Sequence, residues 1–269
     1  QSKQKSFNQI KIHSQYSICE GALKIENLKE YCKKNKIQSV GLSDTYNLSG
    51  ALEFSENISS VGTQPIIGSQ VQFKFKNTYG LIPLIAKNYN GYKNIIELSS
   101  KAYLENDDND QPHCSIEDLT KYSDGIIVLS GAINNLIGNM FNKGLFEELD
   151  ELITILNNNF KENFYLEIQR HGDKNEKEFE FFNLNVSKKY QIPIIATNEV
   201  YYLDKEMHEA HDALMCIGQK TYINDQKRLK LTNNHYLKSS AEMYEIFKDL
   251  PEALENNYNL PFRCNYRPT

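Results

Sequence analysis

Hydrophobic and polar positions follow two rhythms along this chain. FNQIKIH (7–13), SVGLSD (39–44), GIIVLSG (125–131), NFYLEIQ (163–169) and IPIIATN (192–198) are short apolar runs of strand length. PIIGSQVQFKF (65–75) and LIPLIAKN (81–88) are two more, separated by the polar turn KNTYG, which predicts a hairpin. Helical spacing marks 24–35, where Leu28 and Cys32 share a face, 51–59 after Gly50, and 89–104 with Tyr92, Ile95, Ile96 and Leu98 near one side. The same spacing predicts helices at 146–160, 175–190, 206–218 and 239–250. Ser115 and Asp118 form a capping pattern at the start of 115–123, and ENDDNDQPHCS (105–115) reads as a polar, solvated loop around His113 and Cys114. In QIKI and the following histidine, strand alternation puts Lys11 and His13 on one face and Ile10 and Ile12 on the other.

Strand and helix alternate as βα units, and the strands read as apolar runs. That pattern argues for a parallel sheet or barrel. The 269 residues suit one large α/β barrel or two small domains. Strand-like runs stop after about residue 219, so the expected division is a barrel over 1–219 and a helical extension over 220–269.

Composition narrows the classes. No apolar run approaches the roughly 18 residues of a membrane span, and QSKQKSFNQI lacks the apolar core of a signal peptide. The five cysteines are scattered, odd in number and form no C-x-x-C pair, which fits a reducing cytoplasm. A net charge of −5 argues against a stand-alone DNA binder. Lys220, Lys227, Arg228 and Lys230 are a local basic group, read here as a solvated loop. Asp108 and Asp110, the one D-x-D pair, lack the strand context of a two-metal polymerase site, and no phosphate-binding glycine loop is present.

In such folds the chemistry sits at the C-terminal strand ends. The polar residues expected there are His13 and Glu20, Asp44 and Thr45, Gln70, then Gln169, Arg170 and His171, and finally Thr197, Asn198, Glu199 and Tyr201. Histidines and carboxylates converging from separate strands suggest a metal-assisted hydrolase site. His208 and His211, with Asp212 and Cys216, supply only part of a zinc shell and read as packing.

The stretches IHSQYSICEGA, LSDTYNLSGALEF, PIIGSQ, LIAKNYNGYKNIIELSSKAY, IIVLSGA, FYLEIQRHG, IIATNEVYYLD and RLKLTNNHYLKSSAEM carry a resemblance. In that order they resemble the PHP (polymerase and histidinol phosphatase) domain at the N-terminus of the bacterial DNA polymerase III alpha subunit. The resemblance implies an α/β fold, a distorted seven-stranded β/α barrel with a C-terminal helical appendage. In active relatives, it further implies, strand-end histidines and carboxylates hold metals that hydrolyse phosphoesters.

Carried over residue by residue, the motifs depart from that pattern. His-x-His reads Lys11-Ile12-His13, followed by Glu20 for Asp. Thr-Asp-His reads Ser43-Asp44-Thr45, an expected Glu is Gln70, an expected His is Leu81, and a frequent Cys is Ala132. His171 of Gln-x-His-Gly is kept, and the late Asp-x-His reads Glu199-Val200-Tyr201. Ligand types survive only at His13, Glu20, His171 and Glu199, which would hold one zinc or manganese if the site were live. Lys11 among Glu20, Glu199 and Asp44 would neutralise them as a metal does and repel an incoming cation.

The expectation is therefore a vestigial cleft of Lys11, His13, Glu20, Asp44, Thr45, Gln70, His171, Glu199 and Tyr201, without active catalytic residues and without a cofactor. The rival class is a metal-dependent phosphoesterase, either a 3′–5′ exonuclease or a pyrophosphatase. A third, a free-standing histidinol-phosphatase-like enzyme, fits the polymerase-type stretches poorly. The resemblance implies as partners the remainder of the alpha subunit, a DNA-directed DNA polymerase with magnesium in its own core, and the proofreading exonuclease subunit. DNA would be met through the full-length polymerase, and no membrane is expected.

Overall fold

Two strands joined by a tight turn form the spine of the molecule. In the computed structural model, which describes residues 5–17, 23–45, 48–104, 111–205, 234–266 and 268, β3 (Gln64–Phe75) turns at Lys76-Asn77 into antiparallel β4 (Thr78–Ala86). The turn is shorter than KNTYG, because Phe75 pairs with Thr78 and the strand resumes at once. Gly80 is required there. A Cβ at this position would meet the Leu136 backbone at 2.4 Å.

The sheet order is β8-β7-β6-β4-β3-β2-β1-β9, where β1 is Gln9–Ile12, β2 Ser39–Thr45, β6 Ile126–Leu129, β7 Phe164–Ile168, β8 Ile194–Ala196 and β9 Glu199–Val200. Its pairings are parallel except those of β4 with β3 and β6. Only Thr197 and Asn198 separate β8 from β9, so the two ends of the eight-strand path lie close together and the sheet curls as the expected distorted barrel does. A short ninth strand, β5 (Cys114–Ser115), pairs with β3. The loop expected at 105–115 is thus corrected at its end: Cys114 is buried opposite Phe73, not solvated.

Helices cover the outside. They are α1 (Ile25–Asn35), α2 (Ala51–Ser60), α3 (Tyr89–Leu104), α4 (Ile116–Lys121, capped by Ser115 and Asp118), α5 (Leu136–Asn142), α6 (Phe146–Phe160) and α7 (Glu176–Tyr190). Strand residues divide by face. Ile126, Val128, Phe164, Leu166, Ile194 and Ala196 pack outward on these helices, while Ile66, Ile127, Leu129, Tyr165 and Ile195 fill the interior.

β1 breaks this alternation. Gln9 pairs with Val40 but Ile12 with Leu42, so one extra residue is inserted between them. Ile10 therefore joins the interior cluster, and Ile12 packs outward with Leu28 and Val40. The expected sharing of one face by Ile10 and Ile12 is corrected by this bulge, which leaves Lys11 aimed into the barrel.

The C-terminal residues return to the barrel. The helix expected over 239–250 ends early, as α8 (Ser240–Ile246), because Pro251 opens a new helix, α9 (Pro251–Asn259). Asn257 on α9 accepts from Asn8 N at 2.8 Å and donates to Asn8 O at 2.9 Å and Ala196 O at 3.0 Å, joining β1 and β8 across the seam. The expected helix at 206–218 lies outside the described residues. So do Glu20, Asp108, Asp110, His208, His211, Asp212, Cys216 and the basic group at 220–230.

Candidate functional site

Inside the barrel mouth, the bulged β1 brings Lys11 to two carboxylates. Its Nζ lies 2.9 Å from Glu167 Oε2 on β7 and 2.9 Å from Glu199 Oε1 on β9. Lys11 is 1% exposed. Burial alone would lower its pKa, but Glu167 and Glu199 outweigh that and hold it above the ordinary lysine value. Glu199 shows the reciprocal effect. Burial would raise its carboxyl, yet the Lys11 charge and the His13 contact bring it well below the usual range. The ammonium and Glu199 are thus both kept ionised, as a buried ion pair requires.

The other atoms of the cluster are donors to these carboxylates. His13 Nε2 is 2.7 Å from Glu199 Oε2, and Gln70 Nε2 donates to the same oxygen at 3.0 Å. Gln169 Nε2 donates to Glu167 Oε2 at 2.7 Å and Thr197 Oγ1 donates to it as well. The Tyr201 ring stacks on His13 with centroids 4.4 Å apart. Asp44 is not a partner of Lys11: its two oxygens accept from Ser14 N at 2.6 Å and Ser14 Oγ at 2.5 Å. Thr45 contributes its backbone N–H, which donates to Ser17 Oγ at 2.9 Å.

His171 stands one layer away. Glu199 N donates to its Nε2 at 3.2 Å, so the ring proton is on Nδ1, which lies 3.2 Å from Asn234 O. Burial keeps it neutral, well below the ordinary histidine value. Both ring nitrogens are engaged with backbone, and His171 works here as a brace. Arg170 points away from the mouth and clasps Glu180 and Asp249. His113 lies elsewhere, edge-on to Tyr79.

The structure thus brings together Lys11, His13, Gln70, Glu199 and Tyr201, with Asp44, Thr45 and His171 around them. Sequence reasoning missed Glu167 as a partner. Its signal was present: a lone carboxylate in the apolar run FYLEI, two residues from Tyr165 and two from Gln169, on the inward face. His235, buried against His171, was missed too.

Among the described residues, this arrangement does not fit a metal. The ammonium fills the space between the two carboxylates, and His13 Nε2 is turned onto a Glu199 oxygen rather than into a shared opening. Among the described residues, no three of His, Cys, Asp and Glu are arranged to hold a metal ion.

A family model described as PHP domain matches residues 9–171. The chain is 37% identical over 272 residues to the DNA polymerase III subunit alpha of Borreliella burgdorferi, covering 96% of this chain and 24% of that one. The corresponding proteins of Rickettsia prowazekii and Caulobacter vibrioides are 36% and 32% identical, covering 98% and 97% of this chain but 22% and 23% of theirs. The chain therefore spans about a quarter of the length of these curated relatives. Among solved structures, it resembles a putative metal-dependent phosphoesterase from Bifidobacterium adolescentis at 12% identity and a TM-score of 0.49, over 90% of this chain and 95% of that one.

Proposed function

The chain belongs to the PHP domain family, and from that membership we propose that it serves as the PHP module of a DNA polymerase III alpha subunit, structural and partner-docking, with a catalytically silent cleft. One observation carries the reading. The Lys11 ammonium lies 2.9 Å from both Glu167 and Glu199, where a hydrolytic cation would have to bind. A phosphoesterase of this kind needs a cation to activate water and neutralise phosphate. Here a side chain of the chain itself supplies the positive charge, and it carries no open coordination position for water.

The cleft residues Lys11, His13, Glu20, Asp44, Thr45, Gln70, His171, Glu199 and Tyr201 are then vestigial as a catalytic set. On this reading the barrel spans 1–219, and the extension over 220–269 leads toward the polymerase core. The partners are the rest of that subunit and the proofreading exonuclease subunit, DNA is met through the whole polymerase, and the place of action is the cytoplasm. No helix among the described residues is long and apolar enough to cross a membrane.

The test is hydrolysis. The chain, with zinc or manganese, is assayed on bis-p-nitrophenyl phosphate and on 3′-labelled single-stranded DNA. We expect no turnover above metal alone. Turnover that disappears in Glu199→Gln overturns the silent cleft in favour of a phosphoesterase. Failure of the same organism's proofreading subunit to co-elute with the chain overturns the docking role.

A further inference from the structure

Phe141, Phe146, Phe179, Phe181 and Phe182 gather outside the barrel, where α5, α6 and α7 meet. The Phe141 ring centroid lies 5.3 Å from those of both Phe179 and Phe182, and Phe146 stands edge-on to it at 5.9 Å. α7 buries Phe179, Asn183 and Val186 at helical spacing, which leaves Phe181 on its outer side. Phe181 is 69% exposed, and Phe146, at the start of α6, is 54% exposed. Two open grooves of about 560 and 490 Å³ run along this face. Phe182 and Asn185 line both, so the grooves adjoin at that ridge.

Apolar residues exposed singly are ordinary, but adjoining exposed aromatics mark a contact face. The backbone here is helical and bonded within itself, so an extended segment finds no strand edge to pair with. A helix brings its own backbone bonds and lays side chains spaced three and four apart into such grooves. Charge fixes its polar side. Glu147, Glu148, Asp150 and Glu151 follow one another along α6. Lys76 lies 2.7 Å from Glu151, and Lys189 lies 3.9 Å from Asp150. Lys76 also feels Glu147 and Glu148, but neither of these has an ion-pair partner among the described residues. At the α7 edge Lys177 and Glu178 offset each other, and Lys143, Lys174 and Lys188 line neither groove.

Building on the partner-docking reading above, we propose that this face docks an amphipathic helix of a partner protein. Its apolar anchors seat on either side of Phe182, and its lysine or arginine residues run along the edge that meets α6. The α6 acids repel anionic lipid, which sets the face apart from a membrane-binding one. None of the cleft residues takes part.

The probe is a fluorescein-labelled peptide of leucine and lysine, about 18 residues long with one apolar helical stripe, and its twin with glutamate in place of lysine. Binding to the chain is read as fluorescence anisotropy. We expect the lysine peptide to bind about tenfold or more tightly than its twin, and Phe181→Ser to weaken it about tenfold. Glu147→Lys combined with Glu148→Lys should narrow the preference between the peptides, most clearly at low salt. Phe262→Ser, at a ring that is 73% exposed outside this face, should change nothing. Phe181 and Phe262 both point to solvent, so these two variants keep the fold. Equal binding of the two peptides, or binding that Phe181→Ser leaves unchanged, overturns the surface. A dimer in sedimentation that Phe181→Ser dissolves also overturns it, and gives the grooves to a second copy. Binding by the chain that the full-length alpha subunit lacks overturns it in favour of the rest of that subunit. Co-elution of the proofreading subunit without binding of the lysine peptide overturns this surface and leaves the docking role standing. Peptide binding without co-elution keeps the surface and removes that named partner.

Discussion

Two polar clusters lie one ring apart at the same barrel mouth and solve their charge differently. Around Lys11, one ammonium meets Glu167 and Glu199, and Gln70, Gln169, Thr197 and His13 turn donors toward the same oxygens. Around His235, two buried histidines are held neutral and two carboxyl groups press together, with an unpartnered lone pair between. The first cluster is balanced in charge by its own residues, although Glu167 Oε1 is buried there without a hydrogen-bond partner. The second is rich in acceptors, and the Lys238 ammonium near it is engaged by Asn234 O and Asn198 Oδ1. Burial separates them only in part: His171 and His235 are buried like the Lys11 cluster, while Asp173 and Glu176 are half-buried. What separates them is where the cation is placed: the bulge in β1 delivers Lys11 onto its carboxylates, whereas the Lys238 ammonium near His171 and His235 is given to those two oxygens.

The largest effect that sharpens the comparison is acid unfolding. His171 lies well below 6.5 in the fold and His235 falls to about 3, both chiefly through burial. The unfolded chain takes up protons first, so stability falls as pH drops through that window. Glu199, also lowered, adds stability above its unfolded value of 4.5 that is lost as pH falls toward its folded value. Glu176, raised to about 7 mainly by burial, and Asp173, raised for the same reason, run the other way: their folded forms keep the proton, which favours the fold as pH falls toward their ordinary values. The two trends offset between the ordinary carboxyl and histidine values. Below about pH 4.5 the trends of His171, His235 and Glu199 run together, and stability falls as pH drops. Urea unfolding in pH steps should show a shallow course and then a steep acid limb. Equal stability at pH 3.5 and pH 6 breaks this account.

Next in size is Lys11→Met. It leaves Glu167 and Glu199 buried without their cation, and the expected loss is about 3–5 kcal/mol in chemical denaturation at pH 7. The double variant Lys11→Met, Glu167→Gln should recover part of that loss. A Lys11→Met chain as stable as the parent shows that the pair is not what balances the cluster. Gln70→Glu probes the same balance from the other side, adding a carboxyl next to Glu199 where an amide now donates. About 1–3 kcal/mol should be lost at pH 7. The new carboxyl has a raised folded pKa, so this penalty shrinks as pH falls toward the ordinary carboxyl range. A penalty that grows on mild acidification contradicts the assignment.

Much of the fold was legible because apolar runs and helical spacing report burial directly. The hairpin, α3, α6 and the Ser115 cap follow from such patterns. β5 did not, since two residues have no period. The bulge in β1 did not either, because one inserted residue leaves the apolar pattern of QIKI unchanged while it turns Ile10 inward. At the site, Lys11 was legible as a cation in want of carboxylates, and Glu199 is one of them. Glu167 was hidden by its apolar neighbours. His235 was hidden for a different reason: it acts on the mouth through a chain return that brings Tyr236 beside Tyr202, and no local pattern encodes a contact across that distance.

The smallest expected effect has the most informative sign. Asp173→Asn replaces a carboxyl that faces the His235 lone pair and touches Glu176. At pH 8, Glu176 lies above its value of about 7 and is ionised, so like charge is at its strongest there. An amide in this place removes one negative charge and offers N–H groups to both neighbours. Asp173→Asn should therefore stabilise the chain, by about 0.5–1.5 kcal/mol, at a position where most substitutions destabilise. Thermal unfolding of the two chains at pH 8 gives the sign. A variant less stable than the parent would mean that the Asp173–Glu176 contact outweighs the charge it costs, and the contrast between a balanced cluster and an acceptor-rich one would fail at its second term.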